Sequence, residues 1–144
     1  METNMFTKIL IAYDGSEASQ RALDVAIDLA KKYGAYFEII SVIEELPKYA
    51  ATVGEVKEIQ LEAQKHFHQL QQEAIAKAAA VGVSLVDKVM PGHEVHIVVG
   101  YAEKHHFDLL VIGRHGHSAI HKKHPGSTSS NIVTHATCTV LVVA

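Results

Sequence analysis

Residues 111–130 read VIGRHGHSAIHKKHPGSTSS, and the organisation of the whole chain follows most readily from them. A short apolar run leads into residues that suit a tight turn and the start of a helix: Gly113, Gly116, Gly126, Ser127 and Thr128. Glycines allow backbone N–H groups to approach an anion closely, and basic residues such as Arg114 supply the opposite charge. We therefore predict a strand, an anion-binding loop for nucleotide phosphates and a helix beginning near Ser127. The alternative is an ordinary surface turn that joins the strand to the helix and binds no phosphate.

Outside this stretch, short apolar runs alternate with longer amphipathic segments. The apolar runs are typical of strands buried in a parallel sheet; they lie at residues 8–13, 37–43, 84–90, 109–112 and 137–143. Four segments with apolar residues at helical spacing separate them, near residues 16–33, 56–81, 97–102 and 127–135. Residues 44–54 are irregular and predict a lid or binding loop. The pattern predicts one three-layer α/β domain over residues 1–144, with an open parallel five-stranded sheet.

Composition restricts the classes of protein to which the chain can belong. It has 144 residues, 48% of them hydrophobic, and a formal net charge of −3. Nucleic-acid binders usually carry a strongly basic domain, so we expect no nucleic-acid partner. No apolar run approaches the roughly 20 residues of a membrane span, and the start of the chain does not resemble a secretory signal. A single cysteine, Cys138, fits a reducing compartment, so we expect a cytoplasmic location with no membrane partner.

Two of the predicted strands end in residues suited to ligand binding. In open α/β sheets, ligands bind beyond the carboxyl ends of the strands, where the strand order reverses. The first strand ends at Asp14-Gly15-Ser16 and the fourth at Gly113. If these strands are neighbours, both turns border one crevice, and the helix near Ser127 adds its N-terminal N–H groups for phosphate. Asp14 would repel phosphate, so we expect it at the sugar or base end, although it could instead be only a helix cap.

The spacing Gly113-x-x-Gly116, nine residues, Gly126-Ser127 resembles the ATP-binding class of the universal stress protein family. The resemblance covers nearly the whole chain, from KILIAYDGSEAS (residues 8–19) through the long central helix to the valine-rich final strand. It implies a Rossmann-like fold, similar to the adenine nucleotide alpha hydrolases, with strand order 3-2-1-4-5. The Walker and dinucleotide-binding glycine patterns are absent from the sequence.

The resemblance also implies roles for individual residues. Asp14 matches the family's nucleoside-contacting aspartate, and Val42 matches the valine whose backbone meets the adenine. The phosphate-binding group corresponds to Gly113, Gly116, Gly126, Ser127 and Thr128, and the charge of Arg114 adds this residue to the predicted nucleotide site. Family members commonly bind ATP with Mg²⁺ or Mn²⁺ on its phosphates, and dimerise partly through the last strand, here Thr139–Val143. A free apolar strand edge would favour such a homodimer on physical grounds as well.

The segment between Gly116 and Gly126 departs from the family pattern. It reads HSAIHKKHP, where the family usually has a leucine-rich helical segment. Its histidines could contact phosphate, lie in solvent or, at three-residue spacing, share a metal ion. With an ordinary pKa of about 6.5, such imidazoles become cationic in mild acid, so we expect nucleotide affinity to rise between pH 7.5 and 6.

The sequence favours a nucleotide-binding regulatory protein over a fast enzyme. No residue is nominated to orient an attacking water for ATP hydrolysis, so we assign no catalytic residue. We therefore expect an ATP-occupancy switch in a stress response. The alternatives are a slow ATPase, a sensor of another adenine nucleotide such as a cyclic dinucleotide, and a relative that acts through protein contacts alone.

Overall fold

Five strands alternate with four helices in the computed structural model, which describes residues 4–44, 52–114 and 127–144. The elements in chain order are β1 (Lys8–Ala12), α1 (Glu17–Tyr33), β2 (Tyr36–Ile43), α2 (Val53–Ala79), β3 (Val86–Pro91), α3 (Glu94–Lys104), β4 (Leu109–Gly113), α4 (Ser127–His135) and β5 (Thr139–Val143). The predicted alternation of strands and helices is confirmed.

The strands form one five-stranded sheet in the order β3-β2-β1-β4-β5. All four neighbouring pairs are parallel, which confirms the predicted open α/β sheet and its strand order. In the centre, Ile11 of β1 is paired with Ile39 of β2 on one side and with Val111 of β4 on the other. The strand order therefore reverses at β1, and the carboxyl ends of β1 and β4 are neighbours.

The core has one apolar cluster on each face of the sheet. The first cluster joins α1 and the end of α2 to residues such as Ile9, Phe37 and Val111. The second joins α3 and α4 to the opposite side chains of the same strands, including Leu10 and Leu110. These five side chains are at most 1% exposed, so the strands that end at the predicted crevice are rigidly held from both faces.

The helix α1 begins and ends at the residues that the sequence predicts. Ser16 is the N-cap, and its Oγ accepts a hydrogen bond from the backbone N–H of Ser19 at 3.2 Å. Gly34 ends the helix with a φ of 61°, a left-handed conformation that favours glycine. Capping of this kind typically contributes about 1 kcal/mol and fixes where the helix starts beside β1.

The long helix α2 differs from its prediction in two ways. It begins at Val53, because the Thr52 side chain accepts from the Glu55 backbone N–H at 3.2 Å; Gly54 therefore lies in its first turn rather than in a loop. It is also less buried than its apolar stripe suggests, since Ile59 is 44% exposed. A helix of 27 residues is about 40 Å long, more than an eight-residue strand spans, so only its last part packs fully on the sheet.

Smaller differences occur at strand ends. The strand β3 begins at Val86 rather than at 84, and β5 begins at Thr139 rather than at 137. Both are the outer strands of the sheet, each with a hydrogen-bonded neighbour on one side only among the described residues. The rest of the predicted 44–54 loop, residues 45–51, lies outside the described residues. None of the helices in the described part of the chain is long and apolar enough to span a bilayer.

Candidate functional site

A cleft opens at the carboxyl edge of the sheet, where β1 and β4 end beside the first turns of α1, α3 and α4. Side chains and backbone from all of these elements line it: Ala12, Asp14, Ser16, Ser19, Glu94, Ile112, Gly113, Thr128, Ser129 and Ile132. This is the position at which open α/β sheets bind ligands, because the crossover helices leave the crevice on opposite faces of the sheet. The two turns singled out in the sequence therefore border one crevice.

The turn after β1 is held by the carboxylate of Asp14. Its Oδ1 accepts a hydrogen bond from the Ser16 backbone N–H at 2.9 Å, which places Ser16 to cap α1. Gly15 between them has a φ of 82°, and a Cβ there would lie 2.8 Å from Leu70 Cδ1. Asp14 therefore shapes the turn and lines the cleft at once, while Ser16 is the residue that caps the helix.

Gly113, the last residue of β4, passes very close to the first turn of α1. A Cβ at this position would lie 2.7 Å from the carbonyl carbon of Ala18 and 2.8 Å from the backbone nitrogen of Ser19. These are backbone atoms of a capped helix, which cannot move aside without displacing the helix. The glycine is therefore required by packing between strand and helix, a reason separate from any approach to an anion.

The start of α4 is fixed to the end of β4 by Ser129. Its Oγ donates to the carbonyl oxygen of Gly113 at 3.0 Å and lies 2.8 Å from that of Arg114. Ser129 is buried, and the neighbouring Thr128 is half-buried and lines the cleft. The N-termini of α1 and α4 thus border the same cavity, so the positive ends of two helix dipoles lie at one place.

Two predicted site residues are not among those that line this cleft. Val42, on β2, packs against the second core cluster beside the edge strand β3 and is not among the lining residues. The side chain of Arg114 is exposed, and its backbone N–H donates to Val143 O at 2.8 Å. Ser127 is the first residue of α4. Gly116 and Gly126 lie outside the described residues, as do the histidines and lysines between them.

Glu94, the first residue of α3, was not predicted as a site residue from the sequence. Its carboxylate lines the cleft with Asp14, and burial, followed by the charges of Asp14 and Glu44, raises its pKa to about 7. These three acids follow β1, β2 and β3, respectively, so neighbouring parallel strands bring them to one edge of the sheet. No lysine, arginine or histidine occurs among the described lining residues, so this part of the cleft carries negative charge.

Sequence reasoning also missed Ser129 and Ser19 as residues of the cleft. Ser129 lies in the run STSS, in which nothing indicates which hydroxyl faces inward. Ser19 could have been found from the helical spacing of α1, because it lies three residues after the N-cap Ser16. Its Oγ donates to the Ser16 carbonyl oxygen at 2.9 Å, and the side chain is buried.

Comparison with known proteins agrees with this architecture. The family model described as "Universal stress protein family" matches residues 5–144 of the chain. A similar solved structure, universal stress protein UspA from Lactobacillus plantarum, has a TM-score of 0.86 at 27% identity and covers 96% of this chain and 98% of its own. A universal stress protein solved in complex with cAMP has a TM-score of 0.76 at 25% identity, covering 97% and 98%.

Relatives in sequence lead to the same group. The universal stress protein YxiE of Bacillus subtilis (strain 168) is 31% identical over 147 aligned residues, which cover 96% of this chain and 99% of the relative. The universal stress protein encoded in the QAH/OAS sulfhydrylase 3' region of Thermus aquaticus is 33% identical, with 96% and 99% covered. The match over residues 5–144, the shared fold and these full-length relatives establish that the chain belongs to the universal stress protein family.

Proposed function

We propose that this protein binds an adenine nucleotide in the cleft between β1 and β4 and that occupancy by ATP acts as a regulatory signal. The main support for the proposal is that the N-termini of α1 and α4 border one crevice, at the point where the strand order reverses. Ser16 caps α1, and the Ser129 hydroxyl joins the start of α4 to the end of β4. Backbone N–H groups at helix N-termini are ready-made ligands for phosphate. The related structure that contains cAMP supports an adenine nucleotide as the ligand class.

The proposed orientation gives the cleft two ends. Thr128 and the first turn of α4 take the phosphates, with Ser127 contributing its backbone, and Gly113 forms the floor. Asp14 lies on the opposite side, after β1, where it would accept hydrogen bonds from sugar hydroxyls. In the proposal Val42 contributes only its backbone to the base, since its side chain packs in the core. From the sequence we also propose Arg114 for the phosphate end, together with Gly116 and Gly126, which lie outside the described residues.

A divalent cation fits the site only as part of the nucleotide complex. Among the described residues, no group of three or more His, Cys, Asp or Glu side chains is placed to hold a metal ion. Mg²⁺ commonly takes most of its ligands from phosphates and water, with one or two carboxylates. We therefore propose that Mg²⁺ or Mn²⁺ arrives with ATP and is held mainly by its phosphates.

The alternatives are a slow ATPase and a sensor of another adenine nucleotide, such as a cyclic dinucleotide. Because a related universal stress protein was solved in complex with cAMP, a cyclic nucleotide is the specific alternative to ATP as the ligand. Purified protein can be denatured and the released nucleotides identified by mass spectrometry. Recovery of ATP near one equivalent per chain supports the switch, whereas ADP with steady phosphate release supports the ATPase. Recovery of cAMP or a cyclic dinucleotide would replace ATP as the ligand.

A charge placed in the cleft tests where the nucleotide binds. Thr128→Glu puts a carboxylate beside the proposed phosphates and is expected to weaken ATP binding at least tenfold, since one such contact is worth about 1.4 kcal/mol or more. Ser130→Glu is the matched control, because Ser130 is exposed in the same turn of α4. Equal ATP affinity in the two variants would exclude this end of the cleft as the phosphate site.

We further propose that the protein forms a homodimer through β5. This strand lies at the edge of the sheet, with β4 as its partner on one side, and Val142 is 39% exposed. Valine-rich edges with free backbone groups favour pairing with a second copy. Val142→Lys should convert a dimer into a monomer in light scattering at micromolar concentration. Val81→Lys is the control, since Val81 is similarly exposed, at 44%, beyond the end of α2. A monomeric wild-type protein would contradict the proposal.

A further inference from the structure

An acidic residue in the first turn of α3, Glu94, lines the cleft. The function proposed above gives this residue no role. Glu94 is the first helical residue, and the N-cap before it, His93, makes no side-chain capping bond. Glu94 lines the same cavity as Gly113, Thr128 and Ser129. Glu94 is therefore within the ligand-binding cavity even though it lies on a helix that contributes little else to the site.

Among the residues that the structure describes, the charges that act on Glu94 are acidic. They are those of Asp14, in the turn after β1, and of Glu44, at the end of β2. The described residues of α4 and β4 that border the cavity are uncharged. On its own helix, His93 and His96 are exposed, with ring centroids 4.9 Å apart. The remaining positive contribution from α3 is its N-terminal dipole, which is modest and is screened by salt.

We propose that Glu94 is a specificity-determining residue of this nucleotide site. When its carboxyl group is ionised, Glu94 disfavours ligands in proportion to their negative charge. When the carboxyl group is protonated, the site admits polyphosphates. The inference rests on the proposed function and concerns which nucleotide the site selects. Like charges in a partly buried cavity repel strongly because little water screens them. A neutral carboxyl group makes no such repulsion and can donate a hydrogen bond to a phosphate oxygen.

The protonation of Glu94 falls in the range where cells regulate their pH. Burial, then Asp14, then Glu44 raise its pKa to about 7. An anionic ligand adds a further like charge, so it must raise the pKa of Glu94 again on binding. By linkage, ATP binding near pH 7 takes up protons, and ATP affinity rises as the pH falls. The same cleft would therefore bind a polyphosphate better in mild acid, with a much weaker effect on an uncharged nucleoside.

The histidines at residues 115–124 predict a pH dependence of the same sign, so the test must separate the two. Glu94→Gln keeps the shape of the side chain, removes its charge and leaves every histidine in place. Glu103→Gln is the matched control, because it removes the same charge from the exposed, distant end of α3. Any effect of the histidines is common to all three proteins and cancels in the comparison.

The experiment measures dissociation constants of ATP, cAMP and adenosine at pH 6 and pH 8 by calorimetry for wild type, Glu94→Gln and Glu103→Gln. We expect Glu94→Gln to bind ATP on the order of tenfold more tightly than wild type at pH 8 and within about twofold of it at pH 6. The gain for cAMP should be smaller, and adenosine should be unaffected. Glu103→Gln should behave as wild type throughout.

Three results would overturn the inference. Equal ATP affinity of Glu94→Gln and wild type at both pH values removes Glu94 from selection. An equal gain for adenosine and for ATP means that the side chain acts by shape and not by charge. If the wild-type protein binds no adenine nucleotide at either pH, the proposed function itself fails. Nucleotide binding by wild type without the Glu94 effect overturns only this inference.

Discussion

Gly113 and Ala18 approach so closely that a Cβ on Gly113 would lie 2.7 Å from the Ala18 carbonyl carbon and 2.9 Å from its carbonyl oxygen. The last residue of β4 and the first turn of α1 are thus in backbone contact. This contact sets the width of the cleft between the two elements. It also means that the glycine has a structural role whatever ligand the cleft binds.

Replacement of this glycine should destabilise the fold. Gly113→Ala forces β4 and α1 apart, and overpacking of this kind typically costs about 1–3 kcal/mol. Urea unfolding followed by circular dichroism measures the change. Gly100→Ala is the control: it lies within α3, a Cβ there meets nothing within 4 Å, and it should stabilise by up to about 1 kcal/mol. Wild-type stability of Gly113→Ala would show that the contact is not restrictive.

The Gly113 result also bears on how binding data are interpreted. Loss of ATP binding in Gly113→Ala would not by itself demonstrate a phosphate contact, because displacement of α1 would move Ser16 and Ser19 as well. Variants on the open side of the cleft, such as Thr128→Glu, are therefore the more informative test.

Removal of the hydroxyl of Ser129 should loosen the start of α4. Ser129→Ala leaves the carbonyl groups of Gly113 and Arg114 without this donor, and we expect a loss of about 1–2 kcal/mol of unfolding free energy. Chemical denaturation at pH 7 measures the loss. Ser130→Ala, in the same turn but exposed, should change stability by less than about 0.5 kcal/mol. If the two variants are equally stable, Ser129 does not anchor the helix.

The raised pKa of Glu94 predicts a pH-dependent stability. The pKa is about 7 in the folded protein against an ordinary value of 4.5, so the folded state holds more protons between these limits. The contribution of Glu94 to stability is therefore greatest below about pH 4.5, is lost as the pH rises, and stays lost above about 7. Glu94→Gln should match wild type near pH 4.5 and exceed it at pH 8 by on the order of 1–2 kcal/mol, after allowance for partial exposure.

Unfolding of both proteins across this pH range measures that difference. The wild-type protein contains many other titrating groups, so the comparison between variants is the meaningful quantity. A constant difference between Glu94→Gln and wild type from pH 4.5 to 8 would contradict the raised pKa.

Asp108, the residue before β4, is expected to stabilise the start of the neighbouring strand β1. It accepts hydrogen bonds from the Thr7 and Lys8 backbone N–H groups, at 2.9 and 3.1 Å, and from the Thr7 hydroxyl at 2.8 Å. Burial alone would raise the pKa of Asp108, but these bonds outweigh it and lower the pKa, so the contribution persists at neutral pH and is lost as the pH falls through that lowered value. Asp108→Ala should cost about 1–3 kcal/mol at pH 7 in thermal or urea unfolding.

The control for Asp108 is Asp28→Ala. Asp28 forms an exposed ion pair with Lys32 at 3.0 Å, and pairs of this kind contribute little. Its removal should change stability by less than about 1 kcal/mol. Equal losses for Asp28→Ala and Asp108→Ala would mean that the bonds to Thr7 and Lys8 add nothing specific.

Much of the fold follows from the sequence because its signals are local. Apolar runs flanked by Gly, Ser and Asp mark the strands, and residues such as Ser16 and Gly34 mark the ends of α1. The predicted boundaries of helices and strands were wrong where the same residue is compatible with two local structures. Gly54 indicates a loop in the sequence, yet Thr52 caps α2 before it, and a glycine is tolerated in a first turn.

The candidate site was harder to predict because it depends on which strand ends are neighbours in the sheet. The turn at Asp14 and the end of β4 were found from their unusual residues and the rule for parallel sheets. Glu94 carries no such mark: an acid at the start of a helix is ordinary, and only the neighbouring ends of β1, β2 and β3 place it near Asp14 and Glu44. Its role depends on tertiary structure.

Hydrogen–deuterium exchange with and without ATP tests most directly whether this cleft binds the nucleotide. If ATP binds in this cleft, its addition should slow exchange at the turn and first helical residues after β1, residues 14–20, and at the start of α4, residues 127–132. The first half of α2, which contributes no residue to the cleft, should exchange at an unchanged rate. Unchanged exchange at both helix starts under saturating ATP, or protection confined to other parts of the chain, would show that the nucleotide does not bind in this cleft.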